Sequence, residues 1–333
     1  MANFADDRKP RIAALDALRG VAIVAMIVYH VGFDLSARQL IDVDVTRNPG
    51  WIVLARLTAG TFLLIVGISL VLATRNGIGW PRFWRRFAFV AGAAALVSLA
   101  TWFADARTFV FFGILHQIAL ASLLALPFLR LPPVVVAAVA AVVLVLPYVF
   151  SAPVFDWPPL WWVGLSTETP VSVDYVPVFP WFGVVLAGTL VGRLVVPRLQ
   201  GTAFAAWRPG GFLGRAAVWA GRWSLAIYLI HQPLLYGLFW AASPVLKPNA
   251  AVVERNFNDQ CMQSCRQRSE QNICESFCGC MYDHLAGTEL MDLSSVTLMT
   301  PEQREQWENI LAACLPPMHQ QQAPAPATPV PQQ

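Results

Sequence analysis

Seven long apolar stretches occupy most of the first 242 residues and constrain the fold more than any other feature. An α-helix of roughly 17 or more apolar residues is long enough to cross the hydrocarbon core of a bilayer. Hydrophobic residues make up 56% of the chain and charged residues only 13%. The sequence therefore predicts an all-α, polytopic membrane helix bundle. Its spans are expected near residues 13–33, 51–73, 87–104, 108–129, 132–150, 179–197 and 220–242.

The placement of Arg and Lys predicts the orientation of these spans, because basic residues collect in cytoplasmic loops. Alternate connections hold most of them: Arg8, Lys9, Arg11, Arg75, Arg82, Arg85, Arg86, Arg130, Arg193, Arg198, Arg208, Arg215 and Arg222. The opposite connections are mainly acidic, and residues 151–178 contain no basic residue. We expect a cytoplasmic amino terminus and an extracytoplasmic carboxyl terminus in the plasma (inner) membrane. The net charge of +3 then reflects topology and gives no support for nucleic-acid binding.

The first apolar run is too long for a cleavable signal peptide and lacks a small-residue cleavage site, so we expect none. Within this run, Arg19 and His30 lie eleven residues apart. At about 100° per residue, eleven steps return to within roughly 20° of the start, so both side chains share one helix face. Asp16 and Asp34 fall within about 60° of the same line.

Ionisable side chains inside a spanning helix are costly unless they face protein or a water-filled cavity, so this stripe is a candidate functional site. The alternative is that these four residues form two pairs, Asp16 with Arg19 and His30 with Asp34, which only mark the two ends of the span. Arg56, His116 and His231 also enter predicted spans, and with His30 they could converge in the outer half of the bundle. Packing histidines that hydrogen-bond across helices are the alternative for His116 and His231.

A polar, Gln-rich region begins near Lys247 and contains all six cysteines: Cys261, Cys265, Cys274, Cys278, Cys280 and Cys314. Two Cys-x3-Cys pairs each place their cysteines on one helix face. Nested disulfides can join two such helices, Cys261 to Cys278 and Cys265 to Cys274. Cys280 to Cys314 would complete one of the many pairings that six cysteines permit.

An oxidising compartment outside the membrane favours such disulfides, whereas the single nearby His284 fits a zinc site poorly. We expect a membrane domain over residues 1–246, a cysteine-rich helical hairpin over 247–316, and a disordered Pro/Gln tail over 317–333.

Five segments carry a resemblance: RIAALDALRGVAIVAMIVYHVGFDL, ARLTAGTFLLIVGISLVLA, FGILHQIAL, VFPWFGVVLAG and RWSLAIYLIHQPLL. Together they resemble the bacterial relatives of heparan-alpha-glucosaminide N-acetyltransferase over about residues 8–245. The arginine and histidine of the first span also resemble the signature of the acyltransferase-3 type membrane proteins. Both groups are transmembrane acyltransferases that move an acyl unit from a cytoplasmic donor to an acceptor, usually a sugar. The resemblance does not extend to the cysteine-rich region.

This resemblance implies an acetyl-coenzyme A donor and an extracytoplasmic glycan-type acceptor with an amine or hydroxyl. Guanidinium groups bind phosphate bidentately, so the candidate donor-binding residues are Arg19, Arg85, Arg86 and Arg222, with Asp16 holding Arg19. For the last three arginines, ordinary orientation charge is the alternative. The acetyl end would reach His30, about 16 Å from Arg19 along the helix.

His30 would then act as general base or carry the acetyl group, and Asp34 would orient it. Arg56 or His116 would stabilise the oxyanion, and His231 is a further candidate. The outer-loop tryptophans Trp157, Trp161 and Trp162 could stack on a sugar or form an interfacial aromatic belt. We expect no metal cofactor, and the oligomeric state is open.

Three other functions are compatible with the sequence. Histidines on separate spans can ligate haem, although the chain has no CxxCH motif. A transporter or flippase could use the Arg19–His30 stripe as a proton relay, although the two halves show no obvious repeat. The membrane part could also anchor the cysteine-rich hairpin as an interaction module.

Overall fold

A computed structural model describes residues 12–199, 202, 206–267, 269–292 and 299–315 of the chain. The described residues are helical with no strands, so the predicted all-α class is confirmed. The chain forms two compact units. The membrane unit comprises Met1–Asp34 and Asp44–Ala242, and the stapled unit comprises Leu35–Val43 and Ser243–Gln333. The predicted disordered tail and the basic residues 8–11 lie outside the described residues.

The described residues contain eleven helices of eight residues or more. The membrane unit has α1 (Ala13–Ala37), α2 (Pro49–Thr74), α3 (Trp80–Ala104), α4 (Ile114–Leu124), α5 (Pro133–Val149), α6 (Val178–Leu194), α7 (Gly211–Arg222) and α8 (Ser224–Ala242). The stapled unit has α9 (Ala250–Cys265), α10 (Gln271–Leu285) and α11 (Pro301–Cys314).

Among the described residues, five helices are long and apolar enough to cross a membrane, namely α1, α2, α3, α6 with its extension to Arg198, and α8. The fourth and fifth predicted spans contain shorter apolar helices, α4 of 11 residues and α5 of 17. The seventh predicted span is divided, since α7 ends at Arg222 and α8 begins at Ser224. Apolar helices therefore occupy all seven predicted stretches, but two of them are shorter than a full span.

The predicted start of the fourth span at residue 108 is wrong. The backbone of residues 108–112 pairs instead with the loop between α5 and α6. Val173 N donates to Thr108 O at 2.9 Å, and Val176 N donates to Phe112 O at 3.0 Å. Because these long-range bonds satisfy the backbone, an apolar segment whose hydropathy predicts a helix is not helical here.

Glycines bring pairs of helices into backbone contact in the membrane unit. A Cβ atom on Gly67 of α2 would overlap the carbonyl oxygen of Val185 on α6, and one on Gly188 would overlap that of Leu64. Gly20 of α1 and Gly221 of α7 form a second crossing of this kind, in which each lies against the other helix's backbone. Such small residues allow close packing between apolar helices in a bilayer.

The core of the membrane unit lies between α2, α4, α5 and α6. Its fully buried members include Leu63, Ala121, Val136, Val185 and Leu186. Large apolar side chains also point outward: Phe103, Val134, Tyr148 and Trp240 are each at least 75% exposed. An outer surface of this kind is expected where lipid replaces water as the solvent. The protein is therefore a membrane protein by its helices and by its surface.

Three disulfides staple the second unit, and they have the predicted pairing: Cys261–Cys278, Cys265–Cys274 and Cys280–Cys314. Cys280 and Cys314 also lie close to His284, but a disulfide leaves neither of them as a thiolate ligand for a metal. The unit has its own apolar core, which includes Met281, Leu285 and Met299.

The loop after α1 belongs to this stapled unit. Arg255 of α9 donates to both carboxylate oxygens of Asp42, at 2.5 and 2.6 Å. Asn249 N also donates to the carbonyl of Gln39, at 2.9 Å. The predicted domain boundary near residue 247 stays a prediction.

Replacing Gly67 by alanine should destabilise the protein, because its new methyl group meets the α6 backbone. We expect Gly67→Ala to cost about 1–3 kcal/mol, as overpacking typically does. Gly60→Ala on the same helix is the matched control, since a Cβ atom there meets nothing within 4 Å. Thermal unfolding in detergent should show a lower midpoint for Gly67→Ala only. Equal midpoints for both variants would contradict the close crossing.

Candidate active site

The membrane unit contains one large cavity of about 1780 Å³. Seven arginines line it: Arg19, Arg75, Arg82, Arg85, Arg86, Arg208 and Arg222. Asp16 is the only acidic side chain among the described lining residues. The cavity therefore carries a large excess of positive charge, which favours an anion with several negative groups. All five residues predicted to bind the donor lie on this one cavity.

Asp16 organises the basic end of the cavity. One of its oxygens accepts from Arg19 at 3.1 Å, and the other lies 3.6 Å from Nε of Arg222. Arg19 also donates to the hydroxyl of Ser69 at 2.5 Å. The predicted contact between Asp16 and Arg19 is thus present, and α1, α2 and α7 meet at a single charged network. The Asp16 side chain is only 9% exposed, so these ion pairs offset its burial.

Away from the arginines, the cavity wall is mainly apolar and includes the phenol of Tyr228. Ile23, Ile114, Leu115, Leu225 and Tyr228 line this part. Ile23 lies one turn beyond Arg19 on α1, so the cavity continues along the helix from the basic end. A ligand with an anionic head and a long, mainly uncharged arm matches this division of the walls.

His30 and His231 form a pair beside Tyr228, with ring centroids 4.9 Å apart. The Tyr228 ring centroid is 5.7 Å from that of His231. Nδ1 of His231 lies 2.6 Å from the Tyr228 carbonyl oxygen. Because a carbonyl only accepts, this nitrogen carries the hydrogen, and in the neutral ring Nε2 holds a lone pair.

Two nitrogens of this pair are buried and lack a hydrogen-bond partner among the described residues. They are Nδ1 of His30 and Nε2 of His231. A buried polar atom without a partner is costly and in a native protein calls for a ligand, a water or a reacting group. The pair therefore has the chemistry to accept a proton from a bound molecule. Two imidazoles this close leave no room for a haem macrocycle between them, which disfavours the haem alternative.

Asp34 is buried on the same helix as His30, and it is close enough to His231 to interact with it electrostatically. Asp34 therefore acts on His231 and also lies one turn from His30 on α1. On the other side of α1, the Trp51 ring packs against Gly32 and lies 6.3 Å from the Tyr29 ring.

Asp174 reaches this region from the loop between α5 and α6. Its Oδ2 accepts from Ile114 N at 3.0 Å and from the Tyr228 hydroxyl at 3.2 Å. A Cβ atom on Gly113 would overlap this carboxylate, so only glycine fits there. Burial raises the pKa of the Asp174 carboxyl, and the two hydrogen bonds offset part of that rise. The Asp174 carboxylate thus connects the α5–α6 loop with the start of α4 and with α8.

His116 makes its contacts away from the histidine pair. Its Nδ1 accepts from Gly113 N at 3.2 Å, which leaves Nε2 to donate to the Ser98 hydroxyl, also at 3.2 Å. Both ring nitrogens are therefore occupied, as in a packing histidine. This arrangement joins α3 to the start of α4 and does not support the predicted oxyanion role.

Arg56 differs from the predicted convergence, whereas the outer tryptophans leave both of their predicted alternatives open. Arg56 is exposed on α2, and it has no hydrogen bond or ion pair with any residue that the structure describes. Trp161 is anchored, since its indole donates to Asp156 O and its carbonyl accepts from Tyr175. Trp157 is 63% exposed and Trp162 39% exposed, which suits either the aromatic belt or a sugar surface.

Sequence reasoning missed Ser69, Tyr228 and Asp174. Tyr228 lies three residues before His231 in LAIYLIHQP, and helical spacing would have placed the two side chains on one face. Asp174 lies in a loop far along the chain, and no local pattern marks it.

Comparison with known proteins identifies a family. The family described as "Heparan-alpha-glucosaminide N-acetyltransferase, catalytic" matches residues 11–233, which is more than half of the chain. The match ends before the cysteine-rich region, as the sequence resemblance did. Searches of curated proteins and of solved structures found no match.

Replacing His116 by alanine should lower stability, because it leaves the Gly113 N–H without its acceptor and Ser98 without its donor. An unsatisfied buried group typically costs about 1–3 kcal/mol. Thermal unfolding of His116→Ala in detergent measures this, with the exposed His284→Ala as the matched control. An unchanged midpoint for His116→Ala would contradict its structural role.

Proposed function

Because this chain belongs to the family of the heparan-alpha-glucosaminide N-acetyltransferase catalytic domain, we propose that it transfers an acetyl group across the membrane. Family membership makes it a membrane protein of the acetyltransferase type. We propose acetyl-coenzyme A as the donor and an extracytoplasmic amine or hydroxyl, as on a sugar, as the acceptor. The observation that carries this proposal is the arginine-lined cavity that ends at Tyr228, the residue bonded to His231.

The basic end of the cavity would bind the phosphates of the donor. Coenzyme A carries a diphosphate and a further phosphate on its ribose, and seven arginines line this cavity. Arg19 is held by Asp16 and Ser69, so its guanidinium is oriented before the ligand arrives. Preorganised charge of this kind binds a polyanion without a further ordering cost.

The uncharged arm of the donor would lie along the apolar walls and bring the thioester to Tyr228. The histidine pair lies next to that residue, and His30 is about 16 Å from Arg19 along α1. In the proposed reaction His30 takes the proton from the acceptor, which attacks the thioester carbonyl. The thiolate of coenzyme A then leaves and takes up the proton, so no net charge accumulates. The alternative for His30 is to carry the acetyl group transiently.

His231 and Asp34 would assist His30. The Tyr228 carbonyl holds His231 in one tautomer, so its free lone pair lies beside His30. Asp34 lies within electrostatic range of His231 and would offset the positive charge that the pair acquires with the proton. We propose this charge-balancing role for Asp34 in addition to the orientation of His30 that the sequence predicts.

Two independent features support the proposed orientation of the protein. Basic loops collect on the cytoplasmic side, so the arginine cavity would face the compartment where acetyl-coenzyme A is made. Disulfides persist in oxidising compartments, so the stapled unit would lie outside. Both features support a cytoplasmic amino terminus and a multi-pass location in the plasma membrane.

The direct test uses inverted membrane vesicles that expose the cytoplasmic face. Acetyl-coenzyme A labelled in its acetyl group is added outside, with an amino sugar inside. We expect labelled acetylated sugar within the vesicles and free coenzyme A outside. If label stays on the donor with every amine and hydroxyl acceptor tried, the proposed function is wrong.

His30→Ala should abolish acetyl transfer while the protein still folds in detergent. Loss of a general base typically lowers the rate by about 10²–10⁴-fold. His284→Ala is the matched control, because this histidine is exposed in the stapled unit. Wild-type turnover by His30→Ala would refute the assignment of the base.

Arg19→Ala should weaken donor binding, because one charge-assisted hydrogen bond contributes about 1.5–3 kcal/mol, or roughly ten- to a hundredfold in affinity. The readout is the rise in thermal midpoint that coenzyme A produces. Arg85→Ala should show a similar loss, and this residue has no ion pair with Asp16 or any other described acid. Arg47→Ala in an outer loop is the control. Full protection of both cavity variants by coenzyme A would contradict the donor site.

A further inference from the structure

We propose that Tyr228 is a further catalytic residue of the transfer, whose hydroxyl donates a hydrogen bond to the thioester oxygen as it becomes an oxyanion. Asp174 is then the positioning residue that holds this hydroxyl. The inference rests on the proposed function. It adds a hydrogen-bond donor for the oxyanion, a role that neither Arg56 nor His116 fills. Arg56 is exposed, and both nitrogens of His116 are occupied by Gly113 and Ser98.

Tyr228 links the cavity to the histidine pair. It lines the apolar end of the cavity, while its carbonyl accepts from Nδ1 of His231 at 2.6 Å. Its ring centroid is 5.7 Å from that of His231, whose own ring lies 4.9 Å from His30. A thioester in this part of the cavity would therefore lie against Tyr228, with His231 and then His30 beyond that residue.

Asp174 fixes the Tyr228 hydroxyl at the amino-terminal end of α4. Its Oδ2 bonds Ile114 N at 3.0 Å and the Tyr228 hydroxyl at 3.2 Å, and both residues line the cavity. Gly113 allows the carboxylate to lie directly against the backbone. The phenol is thus fixed from α4 and from the α5–α6 loop, although it belongs to α8. A donor fixed in this way needs no reorganisation when charge develops on the substrate.

The phenol has one hydrogen, and in the structure that hydrogen goes to Asp174. Burial raises the pKa of the Asp174 carboxyl and so favours its neutral form. A neutral carboxyl accepts a hydrogen bond more weakly than an oxyanion does. When the thioester binds, the phenol hydrogen turns to its carbonyl oxygen and remains there as negative charge forms, while Oδ2 of Asp174 keeps the hydrogen bond from Ile114 N.

The step balances in atoms and charge. His30 removes a proton from the acceptor, whose oxygen or nitrogen forms a bond to the thioester carbon. The carbonyl π electrons move onto the oxygen, where Tyr228 donates its hydrogen bond. The carbonyl then re-forms as the carbon–sulfur bond breaks, and the thiolate takes the proton from His30. The products are acetylated acceptor and free coenzyme A.

The principal test is Tyr228→Phe in the full chain. This variant keeps the ring and the carbonyl that holds His231, and it removes only the hydroxyl. We expect kcat to fall about 10²–10³-fold, the usual loss for one oxyanion donor, while KM for acetyl-coenzyme A changes less than about twofold. The control is Tyr148→Phe, because Tyr148 is 78% exposed on α5.

Asp174 is tested by a conservative and a disruptive variant. Asp174→Asn keeps an oxygen that can accept from both Ile114 and Tyr228, so it should retain much of the activity. Asp174→Leu removes both functions and should lower kcat toward the level of Tyr228→Phe. Equal losses in the two Asp174 variants would contradict a positioning role. If Tyr228→Phe fails to fold, this pair still tests the inference.

A spectroscopic measurement separates this inference from the proposed function. Acetyl-coenzyme A labelled with ¹³C at the carbonyl is bound to His30→Ala, which is expected not to turn it over. A hydrogen bond from Tyr228 shifts the carbonyl resonance downfield, and Tyr228→Phe in the same background should remove the shift. Saturable binding with no effect of Tyr228→Phe on the shift or on kcat overturns the inference alone. Absence of saturable binding overturns the proposed function and the inference with it.

Discussion

The cost of placing charge inside an apolar helix controls the architecture of the membrane unit. Arg19 lies within a helix that has otherwise apolar or small neighbours, so it must find partners inside the protein. It finds Asp16 on its own helix and Ser69 on α2, and Asp16 in turn meets Arg222 of α7. One charged network therefore brings three helices to a common point, and the cavity forms around it.

Glycines make this convergence sterically possible. Gly20 and Gly221 let the backbones of α1 and α7 touch beside the charged network, and Gly67 and Gly188 do the same for α2 and α6. Seven arginine side chains line the cavity of the membrane unit. Cations collected in one cavity repel each other, so an anionic ligand relieves that repulsion and stabilises the filled site. The fold thus provides a cavity that suits an anionic ligand, the class to which the proposed donor belongs.

Much of this arrangement was predictable from local patterns. The helical class, the positions of the apolar helices and the three disulfides depend on runs and spacings of a few residues, and these were predicted correctly. The start of α4 was not, because Thr108 and Phe112 pair with backbone groups more than sixty residues away. The role of His116 was equally hidden, since its partner Ser98 lies on another helix. Local hydropathy contains no information about such partners.

By itself the sequence determined a membrane bundle with an Arg–His stripe on its first helix, a basic face and an oxidised cysteine region. These properties follow from periodicity and from the energetic cost of burying charge in lipid. Only the tertiary structure decided that His231 lies beside His30, that Arg56 is outside this cluster, and that Asp174 bonds Tyr228. Those contacts join helices and a loop distant along the chain, and their geometry depends on how the backbones cross.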